Sequence, residues 1–307
     1  MKFYLTILLA FFACWGFAQN PNKRHDIDTT ENGISRANAI AFIDSITTLP
    51  QSAYWPNVKP EDFINNVRQN ILYPLKIYAG RETNFCAYAA VTYTCLKNEP
   101  LRYVKCMIDL YKNGFAKYRK VKLNPSESIK QAAGKMEYQG VLDINPADQM
   151  WFLCLANKFK GYLNWLNLKY DAGDENTMWP ATNFAKFNRM LKKLCRYKTK
   201  ARGSDLIRPK SNNLTASLKE KLEHGEVFLY LNNAILRKKS HNKIEKRIPT
   251  HYVVLTEIEE EDNLVTLKYW DGGYKTLKQI SRSMLKQVVY GITWVKYKEK
   301  NDESIEE

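Results

Sequence analysis

Beyond its first fifteen positions the chain has no apolar run of roughly 18 residues, the length a membrane-crossing helix requires, so no transmembrane span is expected. It has no internal repeat and no extended low-complexity segment, which sets aside solenoids and compositionally disordered tracts. No two cysteines stand at zinc-site spacing, and neither a metal nor another cofactor is expected. Acidic residues are in deficit: 32 Asp and Glu face 47 Lys and Arg, leaving a net charge of +15. In a cytosolic protein that surplus would point to nucleic acid.

The start of the chain redirects that inference. MKFYLTILLAFFACWGFAQN carries an early positive charge at Lys2, an apolar run over 3–15, and small residues Gly16 and Ala18 around Phe17. This reads as a secretory signal over 1–18 with the cut after Ala18. Lipid attachment at Cys14 fits poorly with Phe11-Phe12-Ala13 before it and Trp15 after it. A secreted or periplasmic protein is therefore expected, with anionic envelope polymers, lipid headgroups or an acidic protein as partners and no nucleic acid. A solvated lysine-rich surface accounts for the charge equally well. Removing the signal leaves Cys86, Cys95, Cys106, Cys154 and Cys195. In an oxidising compartment an odd set keeps at least one thiol outside any internal disulfide.

Roughly 290 residues after the signal suffice for a large core. The expected organisation is a polar arm and N-terminal helix over 19–60, a catalytic-sized domain over 61–298, and a charged tail over 299–307. Helical spacing recurs in Ala39, Phe42, Ile43 and Ile46, and again in Phe63, Val67 and Ile71. Further helices are expected over about 86–96, 103–111, 147–170 (after the cap-and-proline pair Asn145-Pro146) and 183–197, which makes about 98–212 a helical insertion. After Gly225 the segments 226–231, 251–258, 264–270 and 288–297 read as strands, with a short helix through Leu277, Ile280 and Met284 before the last. Helices first and antiparallel strands last make an α+β domain.

One stretch, TNFCAYAAVTYTCL at 83–96, places Cys86 behind a polar run and before small, helix-compatible residues. Alone, such a cysteine is more often a core thiol. Strand pairing offers a test. If Ile258 and Leu264 close a hairpin around the acidic loop 259–263, Val265 opposes Glu257, Leu267 opposes Leu255, Tyr269 opposes Val253, and His251 opposes Asp271. Opposed side chains lie within hydrogen-bonding reach. A carboxylate fixes the tautomer of a histidine, an imidazolium favours a nearby thiolate, and the start of a helix at Cys86 adds partial positive charge. A core histidine and a turn-forming aspartate are the plain readings of His251 and Asp271 singly; together with Cys86 they point to nucleophilic attack by sulfur.

CAYAA at Cys86, HYVVL at His251 and WDGG around Asp271, in that order, resemble the cysteine, histidine and aspartate motifs of papain-like cysteine peptidases, most closely the bacteriocin-processing branch. The likeness covers about 78–97 and 224–297. It implies a helical lobe led by the nucleophile helix, an antiparallel β lobe carrying the base, and a cleft between them. Those families usually carry a glutamine shortly before the nucleophile as an oxyanion donor, whereas the position six residues before Cys86 is Gly80. Asn84 is the amide available nearby, beside the Cys86 N–H; a helix cap is its alternative role.

The expected function is a secreted cysteine hydrolase, first a peptidase acting on a protein or peptide substrate, acidic or associated with the cell envelope. Cell-wall amide hydrolysis and acyl transfer use the same triad. A non-catalytic binding protein on a degenerate peptidase scaffold is the reading from another class. Arg237, Lys238, Lys239, Lys243, Lys246 and Arg247 crowd the loop before His251, and a second basic run extends from Arg189 to Lys210. His25, His224 and His241 are expected at the surface.

Overall fold

The computed structural model describes residues 31–80, 83–136, 144–161, 169–195, 198–232 and 249–296. The expected signal, nearly all of the polar arm, the lysine-rich loop before His251 and the charged tail lie outside the described residues.

The first half is a layer of helices: α1 (Glu31–Asp44), α2 (Pro60–Leu72), α3 (Cys86–Asn98), α4 (Pro100–Asn113), α5 (Glu127–Ala132), α6 (Pro146–Phe159) and α7 (Phe184–Cys195). Proline opens α2, α4 and α6, where its missing N–H costs nothing and its fixed φ suits the first turn. Helix α1 packs on α2, α3 and α4 through Ala39 and Ile43, so the N-terminal helix belongs to the helical layer. Residues 87–92 of α3 are all buried, which is why this helix is built from small residues. The helix expected over 147–170 ends at Phe159: Lys160 is extended, and Gly161 N donates to Ala181 O at 2.9 Å. Leu163 and Leu166, counted in that pattern, lie outside the described residues.

A short hairpin, β1 (Ala116–Tyr118) with β2 (Val121–Leu123), sits within the segment expected to be all helical. The main sheet comprises β3 (Lys198–Gly203), β4 (Gly225–Leu231), β5 (His251–Glu261), β6 (Leu264–Asp271), β7 (Tyr274–Ser281) and β8 (Val289–Lys296), in the order β3-β8-β4-β5-β6-β7 with every neighbouring pair antiparallel. Strand β3 arises from the basic run that gave no strand signal. The expected helix through Leu277, Ile280 and Met284 divides differently: Leu277 and Ile280 lie on β7, and the helix, α9 (Arg282–Val288), starts after them.

Alternation places two apolar faces on the sheet. Phe228, Tyr230, Tyr252, Val254 and Trp270 join the helical core, while Val227, Leu229, Val253, Leu255 and Leu267 pack beneath α8 (Leu214–Glu223) and α9. Covered on both sides, 227–231 is a continuous apolar run. An aromatic stack, Phe187 on Tyr252 on Tyr230 with centroids 4.3 and 4.2 Å apart, seats α7 on β4 and β5. The architecture is α+β.

Candidate active site

Cys86 is the first residue of α3, and the loop before it is held by distant backbone. Asn84 N donates to Glu175 O at 2.8 Å, and the Asn84 side-chain amide donates to Asn176 O at 3.1 Å and Thr177 O at 2.7 Å. Thr83 Oγ1 accepts from Phe85 N at 3.4 Å and donates to Ala79 O. The first N–H groups of α3, including that of Cys86, have no carbonyl partner within the helix and gather partial positive charge around a half-buried thiol.

His251 opens β5 opposite Leu231, and Asp271 closes β6. Both are partly buried, with side chains 18% and 15% exposed, and His251 Nε2 hydrogen-bonds Asp271 Oδ1. Cys86 is the other ionisable neighbour of the ring. Burial alone would lower the His251 pKa from its ordinary 6.5. The negative charge of Cys86 and the hydrogen-bonded Asp271 carboxylate outweigh burial and push it up to about 10.

The expected partners meet, but not through the expected register. The hairpin turns tightly at Asp262-Asn263, both in the left-handed region at φ 48° and 66°, so that Glu261 opposes Leu264 and Ile258 opposes Leu267. This slips the ladder by an odd number of residues, which by itself would send His251 and Asp271 to opposite faces. A bulge at Thr256, whose Oγ1 donates to Lys268 O at 2.9 Å, restores the parity: beyond it Leu255 opposes Tyr269 and Val254 opposes Trp270. Continuing that register sets Asp271 across from Val253, so His251 is its diagonal rather than its direct neighbour.

Asn84 departs from its expected role. Both of its amide hydrogens are taken by the carbonyls of Asn176 and Thr177, so it anchors the nucleophile loop instead of offering a donor to an oxyanion. Nor is there room for a side-chain donor six residues before Cys86: Gly80 has φ +85°, and a Cβ there would lie 2.7 Å from Ile144 Cδ1. The Cys86 N–H remains as the donor of the expected pair.

Further residues that the motifs did not single out hold the triad together. Thr182 Oγ1 donates to Tyr88 OH at 2.7 Å, Tyr88 OH donates to Pro180 O at 2.5 Å, and Tyr252 OH donates to Thr182 O at 3.1 Å. These bonds link the helix of Cys86 to the strand of His251 through residues 180–182. Burial holds the Tyr88 phenol protonated, far above its ordinary pKa. Trp270 Nε1 donates to Leu75 O at 2.8 Å while its ring stacks on Tyr93 of α3 at 5.0 Å, fixing the residue before Asp271. Polarity beside each motif residue was the available signal: Tyr88 is two residues from Cys86, and Tyr252 adjoins His251.

A cleft of about 350 Å³ opens at Cys86, with Ala87, Met178, Leu206, Tyr230 and Tyr252 on its walls and Pro249 and Thr250 at the end of the basic loop. A larger concavity of about 450 Å³, beside Lys97, His224 and Glu226, holds none of the three residues. His224 is exposed; His25 and His241 lie outside the described residues. Among the described residues no cluster of three or more His, Cys, Asp or Glu side chains is placed to hold a metal ion, and no helix is long and apolar enough to cross a membrane. No family model matches this chain, and no curated protein matches it.

Proposed function

We propose that the protein is a papain-like cysteine hydrolase, first a peptidase, in which Cys86, His251 and Asp271 form the catalytic triad. The observation that carries this reading is the His251–Asp271 hydrogen bond beside Cys86, whose charge acts on the ring and which itself lines a cleft. Cys86 as thiolate attacks the carbonyl carbon of an amide, and the Cys86 N–H stabilises the developing oxyanion. The His251 imidazolium gives its proton to the leaving amine. Neutral His251 then takes a proton from water, which attacks the thioester and releases the acid and the free thiolate. Asp271 orients the ring and stabilises its charge throughout. The walls of the cleft favour a peptide with an apolar side chain beside the scissile bond. Export of the protein and an anionic, envelope-associated substrate are part of the same proposal.

Native-state labelling with an iodoacetamide probe tests the nucleophile without knowledge of the substrate. Fast labelling is expected in wild type and lost in Cys86→Ala. Equal, slow labelling of both proteins counts against a catalytic thiol. A second reading, a binding protein on a degenerate peptidase scaffold, is favoured by one observation: the committed Asn84 amide and the blocked Gly80 position leave no side-chain oxyanion donor from the loop. One missing donor costs about 10²–10³ in turnover rather than all of it. Fast labelling with no hydrolysis of any peptide or cell-wall amide would select that reading.

A further inference from the structure

Two buried thiols face each other away from the cleft. Cys95, in the last turn of α3, and Cys195, the last residue of α7, bring their sulfurs to 3.6 Å although they are 100 residues apart in sequence. Their surroundings hold this approach from outside. Arg119, at the tip of the β1–β2 hairpin, has φ 53°, a conformation unfavourable for a long side chain such as arginine. From it, Nε donates to Leu194 O at 3.1 Å, next to Cys195, while the guanidinium pairs with Glu99, just past the end of α3. One side chain thus ties together the ends of both helices beside the sulfurs.

We propose that Cys95 and Cys195 are a disulfide-forming pair that locks the C-terminal end of α3 to the C-terminal end of α7. This is independent of the chemistry assigned to Cys86. The sulfur facing Cys195 is that of Cys95, on α3. The two thiols share a hydrogen bond, which lowers the pKa of Cys95 and raises that of Cys195. Before folding seals the pair in the core, the Cys95 thiolate attacks an external disulfide, a thiol–disulfide oxidoreductase or oxidised glutathione, and expels one thiol. Cys195 then attacks the mixed disulfide at the Cys95 sulfur and expels the second. Two S–H bonds are lost, one S–S bond forms, and the oxidant is reduced to two thiols. Cys86, Cys106 and Cys154 stay reduced, the last two buried with their thiols held protonated by desolvation.

The test refolds the full chain from the reduced, denatured state in a mixture of oxidised and reduced glutathione, then blocks free thiols with N-ethylmaleimide and maps the peptides by mass spectrometry. A linked Cys95–Cys195 peptide is expected, with maleimide on Cys86, Cys106 and Cys154. Reduction should lower Tm by on the order of 5 °C or more, as suits a bridge closing a long loop. Cys106→Ala and Cys154→Ala should keep the bridge and the Tm response; Cys195→Ala should lose both. Native-like protein with maleimide on Cys95 and Cys195, or with either joined to a different cysteine, overturns the proposal. If refolding fails, the same mapping is made on protein exported to an oxidising periplasm.

Discussion

The chemistry at His251 depends on which of its neighbours are charged. With its pKa raised from 6.5 to about 10, the imidazolium is favoured by the folded state, so its contribution to stability is complete below pH 6.5 and is lost as pH rises through about 10. NMR of ring-labelled histidine should show His251 titrating near pH 10, and Asp271→Asn should lower that midpoint by removing both the carboxylate charge and its hydrogen bond. A wild-type midpoint near 6.5 would sink the thiolate–imidazolium assignment. Cys86, His251 and Asp271 were legible because each stands in a short motif and the last two share a hairpin. The spent amide of Asn84 was not, because its acceptors, Asn176 and Thr177, lie 92 and 93 residues away.

Among the elements, helices with one apolar stripe were read directly from spacing, as α2 and α7 show. Strand β7 was misread because it is the sheet edge: Leu277 is 56% exposed, and its spacing to Ile280 and Met284 happens to suit a helix. The β5–β6 turn was misplaced because Asp262 and Asn263 look like the end of a five-residue acidic loop over 259–263, whereas they alone make the turn and tolerate its positive φ. Asn263→Val should therefore cost about 1–2 kcal/mol and Asn263→Gly nothing comparable, measured by urea unfolding. Equal stability of the two variants would mean that the turn is not left-handed at that position. Because the turn sets the ladder that the Thr256 bulge corrects, the valine variant should also slow Cys86 labelling.

Over the whole molecule, charge is concentrated along α7 and β3. Arg189, Lys192 and Lys193 are exposed on the helix, and Lys198, Lys200 and Arg202 on the edge strand that follows. An edge strand carrying lysine resists pairing with another chain, and the same surface suits the proposed anionic partner. Sedimentation with phosphatidylglycerol vesicles should show binding that weakens from 0.1 to 1 M salt, as the Debye length falls from about 10 to about 3 Å, and that is lost when Lys198, Lys200 and Arg202 are reversed to Glu. Binding indifferent to both changes would remove electrostatic attraction from the proposal and leave the edge-strand role alone.

His251 and Asp271 belong to one hairpin, 20 residues apart, and meet as soon as β5 and β6 pair. Cys86 belongs to the helical half of the fold, and Trp270 reaches its contact at Leu75 across 195 residues. Local pairing closes early and distant docking closes late. On the proposed mechanism, a chain still emerging, or cut before β5, carries Cys86 without a proton partner, and assembly of the last strands is the arming step. Under that proposal the order spares whatever handles the unfinished polypeptide, since the reactive centre forms only once the last strands are in place.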